Sequence, residues 1–398
     1  MGLPRLRQVE AIPVRREGGL SFLIRDPWGV APEVMLSEKA FFLASLLDGN
    51  NTLRDLQAEF MRRYGELLFM EDLQRIIDYL DENFLLESPR FQRRMQEIRK
   101  EWEEAPLREP AFSGRAYPED PHRLRERLEG FLGKDHRPLD GPIRGLVAPH
   151  IDLERGGDCY GVAYSSLKEL EPPELVVILG TCHVPMEGPF ALTDKDFLTP
   201  FGVVSTDREA VRALRERLPF DPLGESILHR REHTIEFQLL FLQLLWDSAF
   251  KILPILCRSF TRYLKGESPE EDGDFSAFIG ALRETFQGYR ALLVMSADLA
   301  HIGPQFGDPY PVDHGELMVV ERKDREMLSR VESGDARGFL EYIRAEGDRR
   351  RICGLPPIYA GVKVLEPTRG LLLDYRQWRD PQGLGAVTFC SLLLLEGS

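Results

Sequence analysis

Three histidines follow apolar runs that resemble buried β-strands. They are His150 in GLVAPHIDL, His183 in VVILGTCHVP and His301 in LLVMSADLAHIG. Ligands usually bind at the carboxyl ends of the strands of an α/β sheet. Imidazole is the commonest metal ligand and the side chain that titrates nearest to neutral pH. The chain has only eight histidines. Any one of the three could be a buried structural residue, but together they predict a metal-assisted or acid–base active site.

The residues around His150 and His183 predict that both side chains reach one crevice. Pro149 holds Ala148 in an extended conformation, so the first strand runs straight to His150. Gly180 allows a sharp turn where the second strand ends. Two neutral imidazoles on adjacent strand ends could bind one ion, which requires ring nitrogens within about 5 Å of each other. Two histidines and one carboxylate describe a non-haem Fe(II) site.

A second group of candidate residues lies in the segment HRREHTIEFQ. On a helix, His233 and Glu236 share a face. We interpret them as proton carriers or hydrogen-bond partners in the same crevice. His229, Glu232 and His233 also satisfy H-x-x-E-H, the inverted zinc-peptidase pattern. A third interpretation is an ordinary amphipathic helix.

Asp298 and His301 are spaced as an acid–base pair. Asp298 lies at the predicted strand end, and its carboxylate could orient the imidazole of His301 by accepting its N–H. This arrangement suits a general acid or base, and the alternative is a surface loop. We interpret Cys182 and Cys353 as small buried apolar residues. The remaining histidines with charged, loop-like neighbours are assigned to the surface: His122, His136 and His314.

The composition argues against a nucleic-acid-binding, a disulfide-rich or a membrane-spanning protein. The chain has 398 residues, 65 acidic and 51 basic side chains, and a net charge of −14. An acidic surface opposes binding to nucleic acid, because phosphate contacts need basic side chains. The five cysteines form no C-x-x-C pair and no evident disulfide framework. No secretory signal opens the sequence, and no apolar run is long enough to span a bilayer. We therefore expect a cytoplasmic protein that binds neither nucleic acid nor a membrane.

The pattern along the chain predicts two domains and a joint. Residues 1–88 read as strand-like pieces followed by three helices, with Ser37 and Thr52 as N-caps of the first two. Residues 89–110 are helix-like, highly charged and then broken by prolines, which is typical of a solvated linker. Residues 111–398 alternate apolar strands with amphipathic helices and predict an α/β domain whose sheet is covered on both faces.

Residues 10–88 resemble the PqqD-like family of small winged-helix (α+β) domains. The resemblance rests on the order of strands, helix, D-G turn, two helices and the closing NFLLE. It implies a domain that binds a leader peptide and presents it to a radical-SAM or related enzyme. A winged helix could instead bind DNA, which the acidic balance disfavours.

The remainder of the chain resembles the Memo family, in its prokaryotic form called AmmeMemoRadiSam system protein B. Seven motifs occur in order within the region 113–398: S-G-R-A-Y-P at 113–118, A-P-H at His150, I-L-G-x-x-H at His183, T-P-F-G at 199–202, E-H-T-I-E at 232–236, S-x-D-x-x-H at 296–301 and I-C-G at 352–354. The resemblance implies a fold related to the class III extradiol dioxygenases, metal binding by His150 and His183, and pocket positions for His233 and His301.

The same resemblance extends to cofactor and partners. It implies a metal ion, for which we expect Fe(II), with copper or zinc as alternatives, and a radical-SAM protein and an AMMECR1-like protein as partners. Animal members carry a metal-ligating cysteine in a C-R-x-W segment, where this chain has Tyr375-Arg376-Gln377-Trp378. Tyr375, or Asp374 beside it, is therefore the expected third ligand.

Three functions follow from these residues. The first is an oxidoreductase with a dioxygenase-like pocket, and we favour this function over the other two. The second is a non-catalytic metal- or peptide-binding adaptor. The third is a zinc peptidase built on His229, Glu232 and His233.

Overall fold

A computed structural model of the protein describes residues 2–16, 19–133 and 141–397. His136 therefore lies outside the described residues, whereas His122 and His314 are exposed, as expected. The chain divides into two compact units, Met1–Ala105 and Pro106–Ser398. The described part contains no helix that is both long and apolar enough to cross a membrane.

The first unit combines a three-stranded antiparallel sheet, in the order β1-β2-β3, with four helices. Its elements are β1 (Glu10–Arg16), β2 (Gly19–Arg25), β3 (Val34–Ser37), α1 (Glu38–Ser45), α2 (Leu53–Tyr64), α3 (Met70–Glu82) and α4 (Pro89–Glu104). Both predicted N-caps are confirmed, since Ser37 accepts from the N–H of Ala40 and Thr52 forms a capping box with Asp55. The unit is a small α+β body, and its assignment as a PqqD-like winged helix stays a prediction.

The predicted linker, residues 89–110, does not form a separate segment, because the boundary between the two units lies within it, after Ala105. Residues 89–104 form α4, whose Ile98 and Trp102 are buried. The chain then enters the second unit with the short strand β4 (Leu107–Arg108).

The second unit contains the α/β sheet that the apolar runs predict. Its further elements are α5 (Pro121–Phe131), β5 (Ile143–Ala148), α6 (Leu153–Ser165), β6 (Leu175–Thr181), β7 (Phe190–Leu192), β8 (Asp196–Thr199), β9 (Gly202–Val204), α7 (Arg208–Arg217), α8 (His233–Trp246), β10 (Lys251–Cys257), α9 (Thr261–Leu264), α10 (Gly273–Gln287), β11 (Ala291–Ser296), β12 (Asp298–Ile302), α11 (His314–Glu332), α12 (Ala336–Ala345), α13 (Leu355–Leu365), β13 (Thr368–Arg379) and β14 (Ala386–Glu396). Short 3₁₀ turns occupy Ser226–Arg230 and Pro304–Phe306.

Eight strands form the main sheet, in the order β12-β14-β5-β11-β6-β10-β7, with β13 paired to the outer side of β14. The four strands β5, β11, β6 and β10 are parallel. All seven residues of β6 are buried, which is expected of a parallel strand covered on both faces. The predicted fold class, a mixed α/β domain preceded by a small α+β domain, is confirmed.

The register of the parallel strands brings the candidate ligands to one edge. Ser296 at the end of β11 pairs with Ala148 of β5 on one side and with Gly180 of β6 on the other. His150 and His183 therefore follow strands that end at the same level. We expect these two strands to be adjacent, but β11 lies between β5 and β6. His301 differs as well, since it belongs to the separate antiparallel strand β12.

Candidate metal centre

Two of the expected histidines converge with a cysteine. One ligand atom each from His150, His183 and Cys353 lies within 4.8 Å of the other two. The ring centroids of His150 and His183 are 5.1 Å apart, and Cys353 Sγ lies 3.3 Å from His150 Nε2. The two histidines approach each other as predicted, and the third side chain of the group carries a thiol.

His150 is held as a pre-oriented, neutral ring. It is 2% exposed, and its Nδ1 lies 3.1 Å from the carbonyl oxygen of Ser296. With Nδ1 donating its proton to this carbonyl, Nε2 is the nitrogen that faces Cys353. Burial, followed by the charges of His183 and His233, holds the pKa of His150 well below its usual value. The ring is therefore neutral, which is the form that binds a metal.

Cys353 reaches the site from a loop before α13. Thr181 Oγ1 donates to the carbonyl oxygen of Cys353 at 3.0 Å, and the N–H of Gly354 donates to the carbonyl oxygen of Asp298 at 2.9 Å. A Cβ at Gly354 would overlap that Asp298 oxygen, so a glycine is required for this close approach. The loop is thus tied to the ends of both β6 and β12.

The thiol of Cys353 is suited to a metal ligand and poorly suited to a free nucleophile. Burial, followed by the charge of Asp298, raises its pKa well above the usual value for cysteine. A nucleophilic cysteine needs a lowered pKa. A bound cation, in contrast, removes the proton from a coordinating thiol.

Glu232 connects two of the imidazoles. Its buried carboxylate lies 3.1 Å from Nδ1 of His183 and 3.1 Å from Nδ1 of His233. Burial raises the pKa of Glu232, but the charges of the two histidines and their hydrogen bonds outweigh it and hold this pKa well below its usual value. His233 stacks on His183, with ring centroids 4.9 Å apart and an angle of 20° between the planes. His233 therefore lies directly against His183.

Asp298 and His301 lie beside the cluster without forming the expected pair. Asp298 is buried and accepts from the N–H of His150 at 2.9 Å, and burial raises its pKa. Nδ1 of His301 lies 3.2 Å from the carbonyl oxygen of Leu299 and 3.3 Å from that of Arg351. Main-chain carbonyls, and not Asp298, therefore orient this ring. Burial lowers the pKa of His301, and the charge of Asp298 partly offsets this decrease.

The expected third ligand, Tyr375, lies elsewhere. Its hydroxyl donates to Asp324 Oδ2 at 2.7 Å, and burial, followed by the charge of Asp324, raises its pKa. This environment disfavours the phenolate that a metal would need. The alternative ligand Asp374 accepts from Arg376 Nε at 2.6 Å. Neither residue joins the candidate group around His150 and His183, in which the third side chain is Cys353.

Glu236 also has a different place from the one expected. Its carboxylate is fully buried and accepts from Arg108, from the hydroxyl of Tyr117 and from the N–H groups of Ala111 and Phe112 at 3.0 Å each. These donors fill the carboxylate, so Glu236 anchors the segment 108–117 onto α8. The anchored segment places Phe112 against His233, at 5.5 Å between ring centroids.

The zinc-peptidase pattern does not form one helical face. His229 belongs to the 3₁₀ turn, Glu232 is the N-cap of α8, and His233 is its first residue. His229 Nε2 lies 3.0 Å from the carbonyl oxygen of Ala191, and its ring is buried. The pattern therefore fails here because its spacing is met without the helix that it requires.

Two residues of the site were missed from the sequence. The sequence context of Cys353 is that of a small apolar residue, and the I-C-G motif at 352–354 is the signal that marks it. Glu232 belongs both to the peptidase pattern and to the E-H-T-I-E motif, and neither indicates that it contacts His183.

Comparison with known proteins assigns the family. A family model described as "Memo-like protein" matches residues 108–387. A "MEMO1 family protein" of Aquifex aeolicus is 30% identical over 378 residues, which cover 94% of this chain and 96% of the relative. Another from Thermus thermophilus is 30% identical over 346 residues, covering 86% and 99%. A third from Methanopyrus kandleri is 30% identical over 288 residues, covering 69% and 94%. The chain belongs to the Memo family.

Proposed function

We propose that the unit Pro106–Ser398 is a metalloprotein that binds one transition-metal ion through His150, His183 and Cys353. The observation that carries the proposal is the approach of three donor atoms from three separate segments to within 4.8 Å. His150 is buried, Cys353 is partly buried and His183 is exposed, so an ion held by the three residues would be within reach of solvent on the side of His183.

The donor set bears on the choice of metal. Two imidazoles and a thiolate suit Cu(I), zinc or iron better than magnesium or calcium, which prefer oxygen ligands. A carboxylate ligand favours Fe(II), whereas the thiol of Cys353 favours copper, which the sequence gives as an alternative. We propose a redox-active ion, copper or iron, with zinc as the alternative that metal analysis separates. Such an ion would supply electron transfer to or from a bound substrate.

The surrounding residues would handle protons and limit access of water. His233 stands beside His183 with its Nδ1 held by Glu232, so its Nε2 is the atom that would accept or deliver a substrate proton. His301 packs against Phe306, at 5.1 Å between ring centroids. Phe112 and Phe306 give these two histidines apolar neighbours. We propose an oxidoreductase whose substrate reaches this group of imidazoles.

Metal analysis of the purified full-length chain tests the proposal. After anaerobic loading with Cu(I), Fe(II) or Zn(II) and desalting, the wild-type protein should retain one equivalent of ion. His150→Ala and Cys353→Ala should abolish retention, and His229→Ala should leave it unchanged because that ring bonds to Ala191. Failure of the wild-type protein to retain any of the three ions would overturn the proposal, as would equal loss in His229→Ala.

We further propose that Met1–Ala105 docks a leader peptide or a partner protein, and that the radical-SAM and AMMECR1-like proteins implied by the resemblance are partners. The observation that favours docking is the exposure of apolar side chains between α2 and α3: Leu67 is 59% and Phe69 62% exposed. Co-purification of the full-length chain with a radical-SAM protein from the same source should be lost in Leu67→Ser/Phe69→Ser. Unchanged association of that variant would refute this docking role.

A further inference from the structure

We propose that Glu232 is a positioning residue that fixes the tautomers of two histidines at once. One buried carboxylate accepts from Nδ1 of both His183 and His233, so both rings act through Nε2. The role of His183 as a ligand rests on the proposed function. The tautomer of each ring does not depend on the proposed function, and it can be measured separately.

The geometry places both imidazoles on one acceptor. His183 Nδ1 lies 3.1 Å from each oxygen of Glu232, and His233 Nδ1 lies 3.1 Å from Oε1. The two rings are nearly parallel, with 20° between their planes. A single rigid carboxylate therefore sets the orientation of the expected ligand and of its stacked neighbour together.

A second metal ion is the competing explanation, because ligand atoms of His183, Glu232 and His233 also lie within 4.8 Å of one another. The backbone contacts of Glu232 argue against it. The carboxylate accepts from the N–H of His183 at 3.0 Å, of His233 at 2.8 Å and of Thr234 at 3.2 Å. An ionised carboxylate offers about four lone-pair sites. Three backbone N–H groups and two imidazoles, five donors in all, already share these sites, so an ion would have to displace the imidazole N–H groups from a carboxylate that is otherwise filled by the cap of α8.

The location of Glu232 explains why it can hold this position. It is the N-cap of α8, where a negative charge is stabilised by the helix dipole and by unpaired N–H groups. Its bond to the N–H of His183 links the start of α8 to the end of β6. The same residue thus joins the two elements that carry the rings and selects the protonated nitrogen of each.

A histidine that binds a metal commonly donates its second N–H to a carboxylate, which fixes the tautomer and strengthens the ligand. Here the second histidine shares that carboxylate. If Nδ1 of His183 is protonated, Nε2 is its donor atom for an ion. If Nδ1 of His233 is protonated, Nε2 is the atom that exchanges a proton with substrate.

Long-range ¹H–¹⁵N correlation spectra of the full-length chain, labelled with ¹⁵N-histidine and free of metal, measure the tautomers directly. The signals are assigned by their loss in His183→Ala and His233→Ala. Both wild-type rings should be protonated at Nδ1. In Glu232→Gln one or both should shift toward the Nε2-protonated form, and metal affinity should fall about 10- to 100-fold.

Glu225→Gln is the matched control, because Glu225 accepts from the N–H groups of Glu187 and Gly188 in a neighbouring loop. It should change neither the tautomers nor the affinity. Nε2-protonated rings in the wild-type protein would overturn the proposal, even if Glu232→Gln did not fold. Tautomers unchanged in a folded Glu232→Gln would overturn it too. A wild-type protein that retains no metal would refute the proposed function, while the tautomers would still decide the role of Glu232.

Discussion

Metal affinity should depend on pH through the thiol of Cys353. Burial raises its pKa, so the metal-free protein carries the protonated thiol. The thiolate is the form that binds a metal, so each bound ion displaces one proton. His150 adds no proton, since its pKa is already held well below its usual value. Between about pH 7 and pH 8.5, affinity should therefore rise about tenfold per pH unit, or about 1.4 kcal/mol.

Competition with a chromophoric chelator measures this slope, using Co(II) or Zn(II) as the ion. Calorimetry in two buffers with different ionisation enthalpies counts the protons released. In Cys353→Ser the affinity should fall and the slope should approach zero, because serine has no proton to lose in this range. A wild-type affinity that does not change with pH, or a slope that persists in Cys353→Ser, would refute the assignment of Cys353 as a ligand.

Three further predictions concern packing around the site. Arg108→Ala should lower the free energy of unfolding of the second unit by about 3–5 kcal/mol, because it leaves the buried charge of Glu236 without its partner. Gly354→Ala should weaken metal binding, because its methyl group would push the Cys353 loop away from the Asp298 carbonyl. Tyr375→Phe should retain the metal but lose about 1–3 kcal/mol of stability, since buried Asp324 loses a donor. Denaturant titration measures the stabilities, and metal analysis after desalting measures retention.

Controls are available for these variants. Arg215→Ala removes an exposed ion pair with Asp221 and should cost about 0–1 kcal/mol. Gly280 lies on α10, where an added methyl group would meet no atom of another element within 4 Å. Gly280→Ala should therefore leave metal binding intact. Equal losses for Arg108→Ala and Arg215→Ala, or for the two glycine variants, would contradict the packing argument. Loss of the metal in Tyr375→Phe would instead indicate that the phenol of Tyr375 is a ligand.

The parallel strands and the approach of two histidines could be predicted because both follow from local patterns. A continuous apolar run such as β6 identifies a strand buried on both faces, and parallel strands end at the same edge. Cys353 could not be found this way, because its loop follows no sheet strand and is held by Thr181 and Asp298, which are distant in sequence.

Helical spacing alone also does not identify the partners of Glu236. His233 and Glu236 do lie three residues apart on α8, as the spacing indicates. The neighbour of Glu236, however, is Arg108, which is 128 residues away in the sequence. The i, i+3 relation identifies which side chains share a face and does not identify what covers that face.

The position of β14 in the sheet sets the order in which the centre can be assembled. This strand lies between β5 and β12, so it is a hydrogen-bonded neighbour of the strand that leads to His150. Its first residue, Ala386, is translated after all three donor residues. The geometry of the proposed centre can therefore be complete only after β14 has been synthesised and has joined the sheet.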